Sequence, residues 1–161
     1  MLLEGFLGDA DDDPRGFGLF VHLGVGGTSH MTVDTMASWH RIVESRDISG
    51  LDDLLFEDVV FHSPVVHTPQ AGRALTRLYL MGAFHVLLND TFRYVREIIG
   101  ERDAALEFVV EIEGIRVNGV DLIRWGEDGR IVDFKVMLRP LKAIHLIHQK
   151  MAAMLEAMKQ Q

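Results

Sequence analysis

From about residue 31 onward, apolar side chains recur along the chain at a spacing that changes from helical to strand-like. Met36, Trp39, His40 and Val43 stand three and four apart, which predicts a helix over 35–46. The segment 47–55 opens on a capping aspartate and predicts a second, short helix. Val59, Val60, Phe61, His62 and Ser63 read as a strand stopped by Pro64, and 68–72 reads as a loop. A third helix is predicted over 73–88, with Leu75, Leu78, Tyr79, Gly82, His85 and Val86 on its inner face. Strand patterns follow over 91–99 and 104–113, and a hairpin lies within 119–138. Pro140 suits the start of a last helix, on which Leu141, Ile144, Ile147, Met151, Met154, Leu155 and Met158 form a broad apolar face. That face either packs on the sheet, caps a pocket or meets a second subunit. Helices followed by consecutive strands give an α+β domain with one antiparallel sheet.

Residues 1–30 differ in kind. They hold seven of the 15 glycines and an aspartate run, with no helical period. Only 17–25 alternates as a strand would, with Phe17, Leu19, Val21 and Leu23 on one face. The stretch reads as an N-terminal extension, or as a segment upstream of an alternative start at Met31, ahead of a single domain over 31–161.

Composition narrows the classes of function. Sixteen Lys and Arg against 24 Asp and Glu give a net charge of −8, with no basic block, so nucleic acid and anionic membrane are poor partners. No cysteine is present, which excludes disulfides, thiolate catalysis and cysteine-based zinc sites. No apolar run approaches the roughly 20 residues of a membrane span. The acidic opening lacks the basic start of a signal peptide, so a cytoplasmic protein is expected.

The stretch most informative about function is 120–134. It reads as a strand, a turn at Asp128-Gly129 and a second strand. Within the first strand stands a carboxylate, Asp121, whose same-face neighbours are Ile123 and Trp125. An unpaired charge there would be costly, so Asp121 is either a pocket lining or a structural acid with a bonded partner. This hairpin, late in a chain of such a size, resembles the last hairpin of the nuclear transport factor 2-like superfamily. That superfamily includes steroid delta-isomerases, SnoaL-type cyclases and limonene epoxide hydrolases. The resemblance covers about 35–140 and implies a cone-shaped, curved antiparallel sheet wrapped around helices, with a pocket inside and an extended C-terminal helix added.

The resemblance also implies roles for single residues. Residues 37–64 run parallel to the first part of a steroid isomerase. In that family a tyrosine and a protonated aspartic acid donate to the developing oxyanion, and a second aspartate before a proline shuttles the proton. The handling of an acid held neutral near pH 7 in that isomerase is a standard case of pKa tuning. Here the tyrosine position is Trp39, the shuttle position is Ser63, and only the oxyanion-side acid is kept, as Asp121. A serine hydroxyl is too weak a base for the shuttle, so steroid isomerase activity is expected to be absent or very weak. The epoxide hydrolase pattern needs an Arg-x-Asp on a middle strand and an aspartate on the last. Residues 107–113 and 132–136 do not carry it.

His62, His67 and His85 are the remaining candidates. His62 or His85 with Asp121 would make an acid/base pair, with Trp39, Ser63, Tyr79 and Trp125 contacting a ligand. The alternative is a set of surface and hydrogen-bonded histidines. The spacing from His62 to His67 matches no common metal motif, and neither a metal nor another cofactor is expected. The reading is a small-molecule pocket protein, an isomerase-like or SnoaL-like enzyme for an apolar ligand, with a non-catalytic binding protein as the alternative. An interaction module with a filled cone is a third. The strands at 119–125 and 133–138 carry large apolar groups on both faces, which predicts a homodimer through the outer face of the sheet.

Overall fold

The structure is a computed structural model, and it describes residues 34–160. The segment 1–30, including the strand expected over 17–25, lies outside the described residues. Helix α1 spans Thr35–Ser45, a 3-10 turn spans Ile48–Gly50, and the four-residue α2 spans Leu51–Leu54. Strand β1 spans Leu55–His62 and β2 spans Gln70–Ala71. Helix α3 (Arg73–Leu87) precedes β3 (Arg93–Ile99), β4 (Asp103–Ile112), β5 (Ile115–Trp125) and β6 (Ile131–Arg139). The 19-residue α4 (Leu141–Lys159) closes the fold.

The helical boundaries follow local chemistry. Asp34 caps α1 by accepting from the Ala37 N–H at 3.0 Å, and Arg46 ends it with a left-handed backbone, φ 57°. Asp47 accepts from the Ser49 N–H and starts the next turn. On α1 the expected face is buried, with Met36, Trp39, Ile42 and Val43 in the core. On α3, His85 is exposed rather than turned inward, and Leu80, Gly82 and Leu87 take the buried face.

All six strands join one sheet in the order β2-β1-β6-β5-β4-β3. The sheet is mixed rather than purely antiparallel, because β1 runs parallel to β6. Such a pair needs a long connection, and α3 with the β3–β5 meander supplies it. The two hairpin turns also differ from the sequence expectation. The tight turn is Glu113-Gly114, between Ile112 and Ile115, with φ 51° and 75° at its two residues. Asp128 and Gly129 instead belong to a five-residue loop, 126–130. There Gly126 donates to the Arg130 carbonyl and Asp128 accepts from the Arg130 N–H. The loop is fixed to α1, whose Thr35 hydroxyl donates to the Gly129 carbonyl at 2.7 Å.

Inside the curl, Trp39 of α1 packs on Phe134 and Phe84, with ring centroids 4.9 and 5.8 Å away. Phe61, Leu106, Phe108 and Val110 complete the inner layer from β1 and β4. Only Ala143 and Ile147 of α4 are fully buried. The rest of that helix lies across the open end of the curl, beside α3.

Candidate active site

Strand alternation aims Asp121 of β5 inward together with Ile123 and Val117, and it is 7% exposed. Its partner comes from two strands away. The Tyr94 hydroxyl on β3 donates to Asp121 Oδ2 at 2.8 Å, and the Trp39 indole N–H donates to the same hydroxyl at 3.0 Å. The Tyr94 ring is held in place by Phe92 and Phe108, whose centroids are 5.2 and 6.4 Å away. Asp121 Oδ1 has no hydrogen-bond partner among the described residues, and Asp121 lines a cavity of about 30 Å³. Val43, Leu80, Phe84 and Phe134 are among the apolar walls of that cavity.

Burial disfavours the carboxylate and pushes the Asp121 pKa up to about 7, although the Tyr94 hydrogen bond pulls it down. Burial and the neighbouring Asp121 charge hold the Tyr94 phenol well above its usual range. Tyr94 therefore stays a donor. With the Trp39 N–H occupying its oxygen, its single proton goes to Asp121 Oδ2. The proton of a neutral Asp121 then sits on Oδ1, free to be donated to a ligand oxygen.

A second chamber, about 160 Å³, lies beyond the first, between α3, α4, β6 and the loop after β1. Phe61, Val65, Leu138, Ile147, Met151 and Leu155 give it apolar walls, with Ser63, Tyr79 and His148 as its polar or titratable members. Ala83, Leu87 and Val136 line both chambers.

The residues singled out in the sequence are thus divided. Trp39 joins Asp121 through Tyr94. Tyr79 and Ser63 line the outer chamber. There Tyr79 stacks on Phe61 at 5.5 Å, and Ser63 Oγ accepts from the N–H groups of Val65 and Val66. Trp125 packs against the edge of the core and lines a separate surface groove with His40, Arg102 and Glu127, and it lines neither chamber. His62 is on the outer face of the sheet, with Nε2 2.8 Å from Asp133 Oδ2, and does not meet Asp121. His85 and His67 are exposed and line neither chamber. Among the described residues, no group of three or more His, Asp or Glu is arranged to hold a metal ion.

Two functional candidates escaped the sequence reading. Tyr94 carried a signal, since Phe92 and Tyr94 alternate on one strand face and a buried phenol needs a partner. His148 carried none, because its place depends on how α4 crosses the curl.

Residues 36–134 match the SnoaL-like domain family. Among solved structures, a steroid delta-isomerase from Pseudomonas aeruginosa is 36% identical, covers 79% of this chain and 93% of its own, and superposes with a TM-score of 0.75. A protein with a cystatin-like fold from Silicibacter pomeroyi is 34% identical, over 76% of this chain and 85% of its own, with a TM-score of 0.69. The epoxide hydrolase/cyclase-like enzyme SalBIII, of pyran ring formation in the polyether salinomycin, is similar in fold alone. It is 20% identical over 65% of this chain and 88% of its own, with a TM-score of 0.53. No curated protein sequence matches this chain.

Proposed function

Since the chain belongs to the SnoaL-like family of the nuclear transport factor 2-like superfamily, we propose that it is an acid/base enzyme for a small apolar molecule. In this reading neutral Asp121 polarises a ligand oxygen. The observation that carries it is the ordered chain from Trp39 through Tyr94 to Asp121, which leaves Oδ1 free at the cavity wall. The histidine best placed to complete the pair is His148, which lines the outer chamber, rather than His62 or His85. For a carbonyl ligand, a ring nitrogen of His148 takes the proton from the carbon next to the carbonyl. The C–H electron pair becomes a C=C bond, and the oxygen is stabilised as an enol by the Asp121 proton. Reprotonation at carbon completes a migration or an exchange.

Cyclohexanone in D₂O tests this, with loss of its α-proton signals followed by NMR. The expected result is exchange accelerated by the protein and reduced about 10²-fold or more in Asp121→Leu and His148→Gln. Exchange no faster than in buffer overturns the enzyme reading. Steroid double-bond migration is expected to be weak, since Ser63 stands where the isomerase family carries its shuttling aspartate.

The apolar lining of the outer chamber also supports a second reading, a non-catalytic binding protein. It would give saturable binding of a small ketone with no exchange.

For assembly, the proposal is a homodimer through the outer face of the sheet, where Met137 is 48% and Ile98 63% exposed. Light scattering at micromolar concentration is expected to give twice the chain mass, and a monomer mass overturns it. A cytoplasmic setting fits the acidic composition. No described helix is long and apolar enough to cross a membrane.

A further inference from the structure

We propose that Ala83 is the specificity-determining residue of the pocket. It forms, with Leu87 and Val136, a narrow that admits one oxygen of a ligand to Asp121 and keeps the apolar body outside. This rests on the reading of Asp121 as the group that meets the ligand.

Two adjacent small residues of α3, Gly82 and Ala83, face different surroundings. At Gly82 the neighbouring helix packs close, and an added Cβ would stand 2.9 Å from Met151 Cε, so that side chain would have to shift. Ala83 differs in that it faces the chambers. Its methyl group borders both chambers, while the turns on either side carry the bulkier Tyr79, Leu80 and Leu87. Any larger side chain at Ala83 fills the space between the chambers.

The volumes then specify what fits. The inner cavity, about 30 Å³, has room for one or two atoms the size of a water oxygen and contains the hydrogen-bonding carboxyl. The outer chamber, about 160 Å³ and apolar, is close to the roughly 150 Å³ of a dry cavity that takes benzene. Neither chamber has Lys or Arg in its lining among the described residues, so an anionic group has no cation to meet. The ligand class is therefore a neutral molecule with a body the size of a single ring and one hydroxyl or carbonyl oxygen at its end.

Calorimetric titration with 4-ethylphenol and with ethylbenzene, at pH 6, tests this. The wild-type chain is expected to bind the phenol at least tenfold more tightly than the hydrocarbon. In Ala83→Leu that preference is expected to vanish, while ethylbenzene affinity stays within about threefold. Ala83→Val, the milder change, is expected to be intermediate, and both variants are checked for folding by thermal melts. A preference kept in folded Ala83→Leu or Ala83→Val overturns the narrow. So does loss of both ligands in a folded Ala83→Val. Asp121→Leu separates the two claims. If it abolishes the preference and the Ala83 variants do not, only the narrow is wrong. If the wild type shows no preference, or Asp121→Leu keeps it, the Asp121 reading itself fails.

Discussion

Tyr94 and Asp121 are hydrogen-bonded although their strands are not neighbours, for β4 runs between β3 and β5. The curl of the sheet makes this reach feasible, because it turns the inner faces of alternate strands toward each other. The phenol spans the interval above Phe108, the residue of β4 paired with Tyr94 on one side and Gly119 on the other. Asp121 is thus both buried and satisfied on one oxygen only, and its protonation state becomes a property of the fold.

The first prediction follows from that state. The Asp121 pKa is raised from about 3.8 in the unfolded chain to about 7 in the folded one. Between those values the native state holds a proton that the unfolded state has lost, so stability falls as pH rises through the window. Below about pH 4 both states are protonated and this group contributes no slope. Above about 7 the loss is complete and amounts to a few kcal/mol at most. Chemical denaturation of Asp121→Asn is expected to lose this slope and to show a variant more stable than wild type at pH 8. A wild type that is equally stable at pH 5 and pH 8, relative to the variant, contradicts it.

Removing the Tyr94 hydroxyl acts on the same carboxyl. The hydrogen bond from Tyr94 favours the ionised acid, so Tyr94→Phe is expected to move the Asp121 titration above 7. It also leaves the Trp39 indole N–H without its acceptor, at a cost of about 1–3 kcal/mol. Carboxyl ¹³C titration by NMR reads the first effect and thermal melts the second. A titration that moves downward would show that solvent, not Tyr94, sets the charge of Asp121.

Gly119 offers a test of packing beneath the site. A Cβ there would collide with the Phe108 ring and lie 2.7 Å from Leu138 Cδ2. Both neighbours are inside a closely packed layer, so Gly119→Ala is expected to destabilise by about 1–3 kcal/mol. It should also displace Phe108 toward the inner cavity. Melting temperatures check the first outcome, and an unchanged melt means that the layer has slack which the distances do not show.

The sequence disclosed those features whose cause is local. The bounds of α1 and α3 followed from apolar spacing, and the inward direction of Asp121 from alternation with Ile123. What depends on distant pairings was hidden. The β1–β6 pair has no local signature. The partner of Asp121 lies 27 residues away across another strand, and Trp125, though on the same strand as Asp121, lines a separate groove beside the start of α1. Asp128-Gly129 carried the stronger turn signal, yet Glu113-Gly114 makes the tight turn. The Thr35 hydroxyl and the Arg130 backbone both draw on the Asp128-Gly129 segment and open it into a longer loop. His85 is exposed while the adjacent Phe84 packs on Trp39, since one helical position is a turn of about 100°, enough to exchange inside for outside.

The parallel seam between β1 and β6 has a bearing on how the chain reaches this state. His62 and Asp133 face each other across it from 71 positions apart, while every other pairing in the described sheet joins consecutive strands. Hairpins β3–β4 and β4–β5 can close early, over short loops. The seam has to wait for the whole meander, and loop entropy delays it relative to them. During synthesis β1 is made first, with only the two-residue β2 to pair with, and its other edge stays unmatched until β6 has emerged. The β1–β6 pairing is thus what joins the first strand to the meander, and the enclosed inner face exists only once that late-made strand is in place.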